Sequence, residues 1–238
     1  MIDDKLFFEL ETLPTIDPDL IADIAAGVTH PAAMKKAETI AAWEADHRDA
    51  AIKEAVAKTA LDGGLGRIAS IAWAVADGEI VAGTSATDDG YAEAQERWLI
   101  EGFFAVAEGL YREYRSQPVL VGHHIVGFDI RWIWKRAIVL GIRVPDWWPV
   151  DARPWSQDVP DTMVMWEGAR GWISQDRLAR ILGLPGKGDV DGSQVSALWE
   201  AGEYERVREY NADDVATVRA IWQRITGWQP AVEARAAA

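Results

Sequence analysis

Leu6-Phe7-Phe8-Glu9-Leu10-Glu11 is a short apolar run that carries two acids separated by one residue. Alternate side chains of an extended strand share a face, so Glu9 and Glu11 point the same way. Ionised carboxylates are costly to enclose among apolar neighbours unless another charge compensates them. The run is therefore read as a strand whose two acids serve a shared ligand, in preference to a solvent-facing pair on an edge strand.

Outward from this strand, Ile16 to Thr59 is Ala-rich and helical in period, with Pro31 placed to open a long helix through Met34, Ile40, Trp43, Ile52 and Val56. Residues 16–62 are taken as a helical insertion. Asp77-Gly78 between two apolar runs signals a hairpin, pairing a strand near Ile68 to Val75 with one near Ile80 to Thr84. Helical period resumes from Ala92 to Arg115. A compact strand, Pro118 to Gly122, and a helix from Phe128 to Leu140 follow. A further short strand is expected near Thr162 to Trp166, then a helix capped by Ser174 and stopped at Gly183, and a last helix from Tyr204 to Ile225. This order predicts one α/β domain over residues 1–226, a mixed β-sheet flanked by helices, with residues 227–238 as a polar, Ala-rich tail.

The chain has 238 residues, 49% of them hydrophobic, enough for one substantial core. It contains no Cys, which excludes disulfides, thiolate metal sites and cysteine nucleophiles. Any metal must be held by oxygen or by the four His. The formal net charge of −14 argues against tight, sequence-blind binding to a long duplex, which relies on many contacts from Lys and Arg to phosphate. It is compatible with handling a short strand end beside cation-binding carboxylates. No apolar stretch approaches bilayer length, so a soluble cytoplasmic protein without a membrane partner is expected.

Four features can be gathered onto one site: Glu9 and Glu11 on the first strand, Asp129 at a helix start after a strand, and Tyr210 with Asp214 on the last helix. Tyr210 and Asp214 are four residues apart and share a helix face. Strand ends and the helix starts that follow them are where α/β sheets place ligands. The segments Phe8 to Pro14, His124-Ile-Val-Gly-Phe128-Asp129 and Tyr210-Asn-Ala-Asp-Asp214-Val215 resemble, in order, the three exonuclease motifs of the DEDD superfamily, tyrosine subgroup. They resemble those of stand-alone, DnaQ-like 3′–5′ exonucleases related to the proofreading domain of family B DNA polymerases. The similarity also takes in Arg67 to Ala74, Asp161-Thr-Met163, Ile173 to Leu178 and Leu184 to Asp189, most of the chain from residue 5 to about 226.

The resemblance implies a ribonuclease H-like fold and two divalent cations, Mg²⁺ or Mn²⁺, held by Glu9, Glu11, Asp129 and Asp214. It implies that Tyr210 serves the attacking water, and that a single-stranded DNA 3′ end is the substrate. Thr12, Leu13, His124, Phe128 and Lys187 are candidate substrate contacts. Phosphodiester hydrolysis needs a nucleophile made near neutral pH and charge compensation at the attacking and leaving oxygens. Two ions about 3.5 to 4 Å apart supply both, and hard cations select carboxylate oxygen. A phenol with an ordinary pKa near ~10 is a poor base, which favours an orienting role for Tyr210.

The chain departs from the family in two places. Glu9 stands where Asp is usual, and His124 where Asn usually begins the middle motif. A glutamate is longer by one methylene, and a displacement of ~1 Å at a catalytic group costs on the order of 10²-fold in rate. Glu9→Asp is therefore expected to raise Mg²⁺-supported cleavage. His123 and His124 alternate faces if the strand continues, which argues against a joint metal site. Asp213 is read as a solvated neighbour of Asp214. Trp147, Trp148 and Trp155 are read as core or loop anchors in preference to base-stacking platforms. Lys187 lies in a Gly-Lys-Gly segment without P-loop spacing. Two alternatives to the exonuclease stay open: a catalytically weakened fold kept as a nucleic-acid-binding or interaction module, and a hydrolase of very short oligonucleotides, including RNA. Polymerase or other protein partners are left open as well.

Overall fold

The computed structural model describes residues 4–185 and 192–227. The chain opens with β1 (Lys5–Leu13), then α1 (Pro18–Gly27), α2 (Ala37–Asp46), α3 (Arg48–Ala57) and a 3₁₀ turn at Lys58–Leu61. Next come β2 (Arg67–Val75), β3 (Val81–Thr84), the two-residue strands β4 (Ala86–Thr87) and β5 (Gly90–Tyr91), and α4 (Glu93–Tyr114). The remainder is β6 (Val119–Val121), α5 (Asp129–Val139), α6 (Thr162–Glu167), α7 (Gln175–Ile181), a 3₁₀ turn at Gly192–Gln194, α8 (Val195–Glu200) and α9 (Tyr204–Thr226).

The main sheet is mixed, in the order β3-β2-β1-β6, with β1 antiparallel to β2 and parallel to β6. β1 is thus an interior strand at Lys5–Phe7, while Glu9 and Glu11 pair with β2 alone, beyond the end of β6. Its alternation sorts the two layers. Leu6, Phe8 and Leu10 join Phe103, Ile130 and Trp148 in the core beneath α4 and α5. Phe7 faces the other way, packed with Val215 and Val218 of α9, and Leu13 clusters with Val207 and Tyr210 of the same helix. A register shift in the β1–β2 pairing between Glu11 and Thr12 makes Ala69 an extra residue on β2. This bulge lets Ala69 join the Leu13 cluster while Ile71 faces the opposite core.

Several sequence-based expectations are corrected here. Thr162 to Trp166 forms the helix α6, because the Asp161 carboxylate caps it by accepting from the Met163 and Val164 N–H groups. A five-residue apolar run has no period that separates strand from helix. The long helix expected from Pro31 is instead α2 and α3, divided at His47. The first helix of the insertion starts at Pro18, where Asp17 caps it. Lys187 and the tail from residue 228 onward lie outside the described residues. No helix among the described residues is long and apolar enough to cross a membrane.

Candidate active site

Phe7 and Leu13 are apolar anchors at the two ends of the β1 face that meets α9, and Glu9 and Glu11 lie between them. Six residue steps along the strand span roughly 20 Å, and the eleven steps along the helix from Val207 to Val218 span roughly 16 Å. The packing of the anchors therefore holds the acids alongside the middle of α9, where Tyr210, Asn211 and Asp214 are buried. Across the pairing to β2, Glu9 stands beside Ala72 and Glu11 beside Ser70, two small side chains. Asn211 Nδ2 donates to Ser70 Oγ at 3.0 Å, tying α9 to the sheet next to Glu11.

Burial pushes the Tyr210 hydroxyl pKa far above its ordinary value, and the charges of Asp214, Glu11 and Glu9 push it further. These contributions are consistent with the packing that sets the two β1 acids beside Asp214 and Tyr210. Asp129, at the first turn of α5, is only 2% exposed. Burial raises its pKa well above the usual carboxylate range, and Asp161 and Asp214 add to the shift. Gln175 Nε2 holds the Asp214 backbone oxygen at 2.9 Å and approaches Oδ1 at 3.5 Å.

The connection from β6 to α5 is built by two carboxylates. Glu9 Oε1 accepts from the His123 N–H at 3.1 Å. Asp161 Oδ1 accepts from the N–H of His124 at 2.9 Å, and Oδ2 from that of Val126 at 3.2 Å. Strand β6 has ended before His123, so the premise of two histidines alternating along a strand does not hold. They diverge for another reason. The His123 ring is fixed between Thr162 Oγ1 and the Ile173 carbonyl, each at 2.9 Å, whereas His124 is exposed in the left-handed region with φ 62°. Its ring lies so close over Gly127 that a Cβ there would overlap it.

Of the remaining candidates, Thr12 is half-buried at the bulge and Phe128 half-buried with its ring 6.4 Å from that of Trp132. Leu13 is 1% exposed and serves packing. Asp213 is exposed, and Trp148 is buried in the core. Trp147 stacks on Tyr111 with ring centroids 5.9 Å apart. Trp155 is exposed.

Among the described residues, no three His, Asp or Glu side chains close into one coordination sphere. The four acids converge from β1, α5 and α9 without forming a tight cluster. The donor chemistry nevertheless fits hard cations. Asp129 Oδ1 is buried with no hydrogen-bond partner among the described residues, and a carboxylate oxygen left in that state is one that a divalent cation satisfies. Reading the sequence alone gave no positioning role to His123, Asp161, Gln175 or Asn211, although the last three fall in segments that carry the resemblance. Asp161 carries a signal, an Asp placed before a helix start. The pairings of the other three are with residues distant in sequence and carry no local signal.

A mixed sheet with helices on both faces and acids gathered at one end of β1 defines a ribonuclease H-like α/β domain. The family B DNA polymerase of the hyperthermophilic archaeon Pyrobaculum calidifontis shares this fold with a TM-score of 0.53 and 17% identity, over 92% of this chain and 24% of the polymerase. The chain thus spans about a quarter of that polymerase's length. No curated protein matches it. The chain belongs to the family of predicted 3′–5′ exonucleases related to the exonuclease domain of PolB, whose model matches residues 61–237. Glu9 and Glu11 precede the matched stretch, while Asp129, Tyr210 and Asp214 fall within it.

Proposed function

We propose that this chain is a 3′-to-5′ exonuclease of the tyrosine-type DEDD group acting on the 3′ end of single-stranded DNA. The observation that carries this reading is the packing of the β1 face that bears Glu9 and Glu11 against the middle of α9, where Tyr210 and Asp214 are buried. Acids from the first strand and the last helix meet there around a phenol. Glu9, Glu11, Asp129 and Asp214 would hold two divalent cations, Mg²⁺ or Mn²⁺. When bound, those ions supply a water nucleophile at neutral pH and neutralise charge on the phosphate oxygens.

The protein's own groups account for the rest of the chemistry. Burial and the neighbouring carboxylates favour the protonated phenol of Tyr210 before cations bind, and its hydroxyl would serve to orient water. Gln175 fixes Asp214 on α9. Glu9 and Asp161 hold the segment that delivers Asp129. The net charge of −14 favours a strand end over a long duplex.

Incubation of 5′- and 3′-labelled single-stranded DNA with Mg²⁺, and separately with Mn²⁺, tests the proposal. A ladder shortening stepwise from the 3′ end supports it. Immediate release of a 5′-terminal nucleotide, or no cleavage with either ion, overturns it.

A further inference from the structure

A cavity of about 560 Å³ lies where the inserted helix α3 meets the exit of β1 and helix α8. Its walls include Leu13, Pro14, Val56 and Trp199, and its charged groups include Lys53 and Arg67, with Glu200 opposing them. A mainly apolar cavity of this size with a few convergent polar groups has the character of a small-molecule site. Leu13 separates it from Tyr210, with which it clusters, so the cavity sits one side chain behind the candidate active site.

Arg67 is the informative group. It is 8% exposed, its Nε donates to the Pro14 carbonyl at 2.8 Å, and its guanidinium carbon lies 4.5 Å from the centre of the Tyr91 ring. Those contacts fix the plane of the guanidinium. Among the described residues, nothing accepts from its two terminal nitrogens. The neighbouring buried acid, Glu96, is already committed to Arg136, which donates to Glu96 Oε1 at 2.9 Å and Oε2 at 2.8 Å. The Arg67 guanidinium, which lines this cavity and also a neighbouring one beside Tyr91 and Arg136, is thus left with a fixed fork and no carboxylate of its own. A fork of this kind matches the paired oxygens of a phosphate or carboxylate.

We propose that the cavity binds a nucleoside monophosphate, with the phosphate on Arg67 and Lys53 and the base against Trp199 and the aliphatic wall. The anion site follows from Arg67. The choice of a nucleotide as its carrier rests on the exonuclease reading, whose product is a deoxynucleoside 5′-monophosphate, and AMP serves as a probe with the same phosphate and base.

The test is titration of the full-length protein with AMP in EDTA, followed by calorimetry and by tryptophan fluorescence, with inorganic phosphate and adenosine titrated separately. EDTA removes any cation-dependent binding at the acidic cleft. AMP is expected to bind at least roughly tenfold more tightly than phosphate or adenosine, because only AMP engages both halves of the cavity. Arg67→Met should weaken it by roughly tenfold or more. Arg67 also anchors Pro14, so Ala57→Trp, which adds bulk to the cavity wall from α3, provides an independent variant whose fold is checked by circular dichroism. No AMP binding, equal binding of phosphate alone, or unchanged binding in folded Ala57→Trp would each overturn the proposal. The DNA cleavage assay reports on the exonuclease reading separately. AMP binding in a protein inert on DNA would leave the cavity assigned and remove the nuclease, and the reverse result would do the opposite.

Discussion

The carboxylate of Glu9 accepts a hydrogen bond from the backbone N–H of His123, 114 residues away in sequence, at 3.1 Å. The extra methylene of this glutamate thereby ties β1 to the segment leading into Asp129. From sequence the longer acid was expected to displace a cation, with Glu9→Asp raising cleavage. The hydrogen bond reverses that expectation. Glu9→Asp should shorten the reach, release His123 and lower Mg²⁺-supported cleavage several-fold, within the roughly 10²-fold that a displacement of ~1 Å can cost. Rates of wild type and variant on labelled single-stranded DNA check this, and a higher rate in the variant would restore the displacement argument.

Asp129→Asn exchanges a buried carboxylate for a neutral amide of the same shape. In EDTA the variant should be as stable as the wild type or more so, by about 1 kcal/mol, which is a rise of roughly 2–4 °C in Tm for a chain of this size. Cleavage should be lost, together with any rise in Tm on adding Mn²⁺. Thermal melts with and without the ion separate these effects. Asp214→Asn should likewise abolish cleavage while the fold persists.

Tyr210→Phe removes only the hydroxyl, which lies under the charges of Asp214, Glu11 and Glu9. Turnover should fall by roughly 10²-fold or more while calorimetric Mn²⁺ affinity changes little. Equal loss of both would make the hydroxyl structural.

Asp161 accepts from four backbone N–H groups, those of His124, Val126, Met163 and Val164. Asp161→Ala leaves these donors in a buried setting and should cost about 3 kcal/mol or more by urea denaturation. Cleavage should fall as well, because the same bonds shape the approach to Asp129. Full activity in a destabilised variant would confine Asp161 to α6.

Glu96 is fully buried between Arg136, the Tyr91 hydroxyl and the Ile68 N–H. Glu96→Ala strands Arg136 beside Arg67 and should destabilise by about 3–5 kcal/mol. Replacing Glu96 and Arg136 together by apolar residues should cost much less. A double-mutant cycle measures the difference.

What could be read from the sequence was local. Two acids one residue apart in an apolar run placed Glu9 and Glu11 on one face. The spacing of Tyr210 and Asp214 placed them on one helix, and Asp77-Gly78 marked the turn between β2 and the strand that pairs with it. The apolar run at Thr162 was too short to carry a period, and only the capping role of Asp161 makes it helical. Three contacts that build the site, Glu9 with His123, Gln175 with Asp214 and Asn211 with Ser70, join residues 114, 39 and 141 positions apart. Hydrogen bonds at such separations leave no trace in one sequence. The Glu96–Arg136 pair is hidden for a related reason, since each residue alone resembles an ordinary helix-surface charge.

The backbone at His124 turns through φ 62°. Few side chains tolerate that conformation, and Asn, Asp and His are the non-glycine residues most enriched in it. The Asn that the motif resemblance leads one to expect at this place and the His found here therefore satisfy the same steric demand. Their interchange becomes a matter of chain geometry, in which either residue lets the turn into α5 form, while a β-branched residue such as Val would force it open.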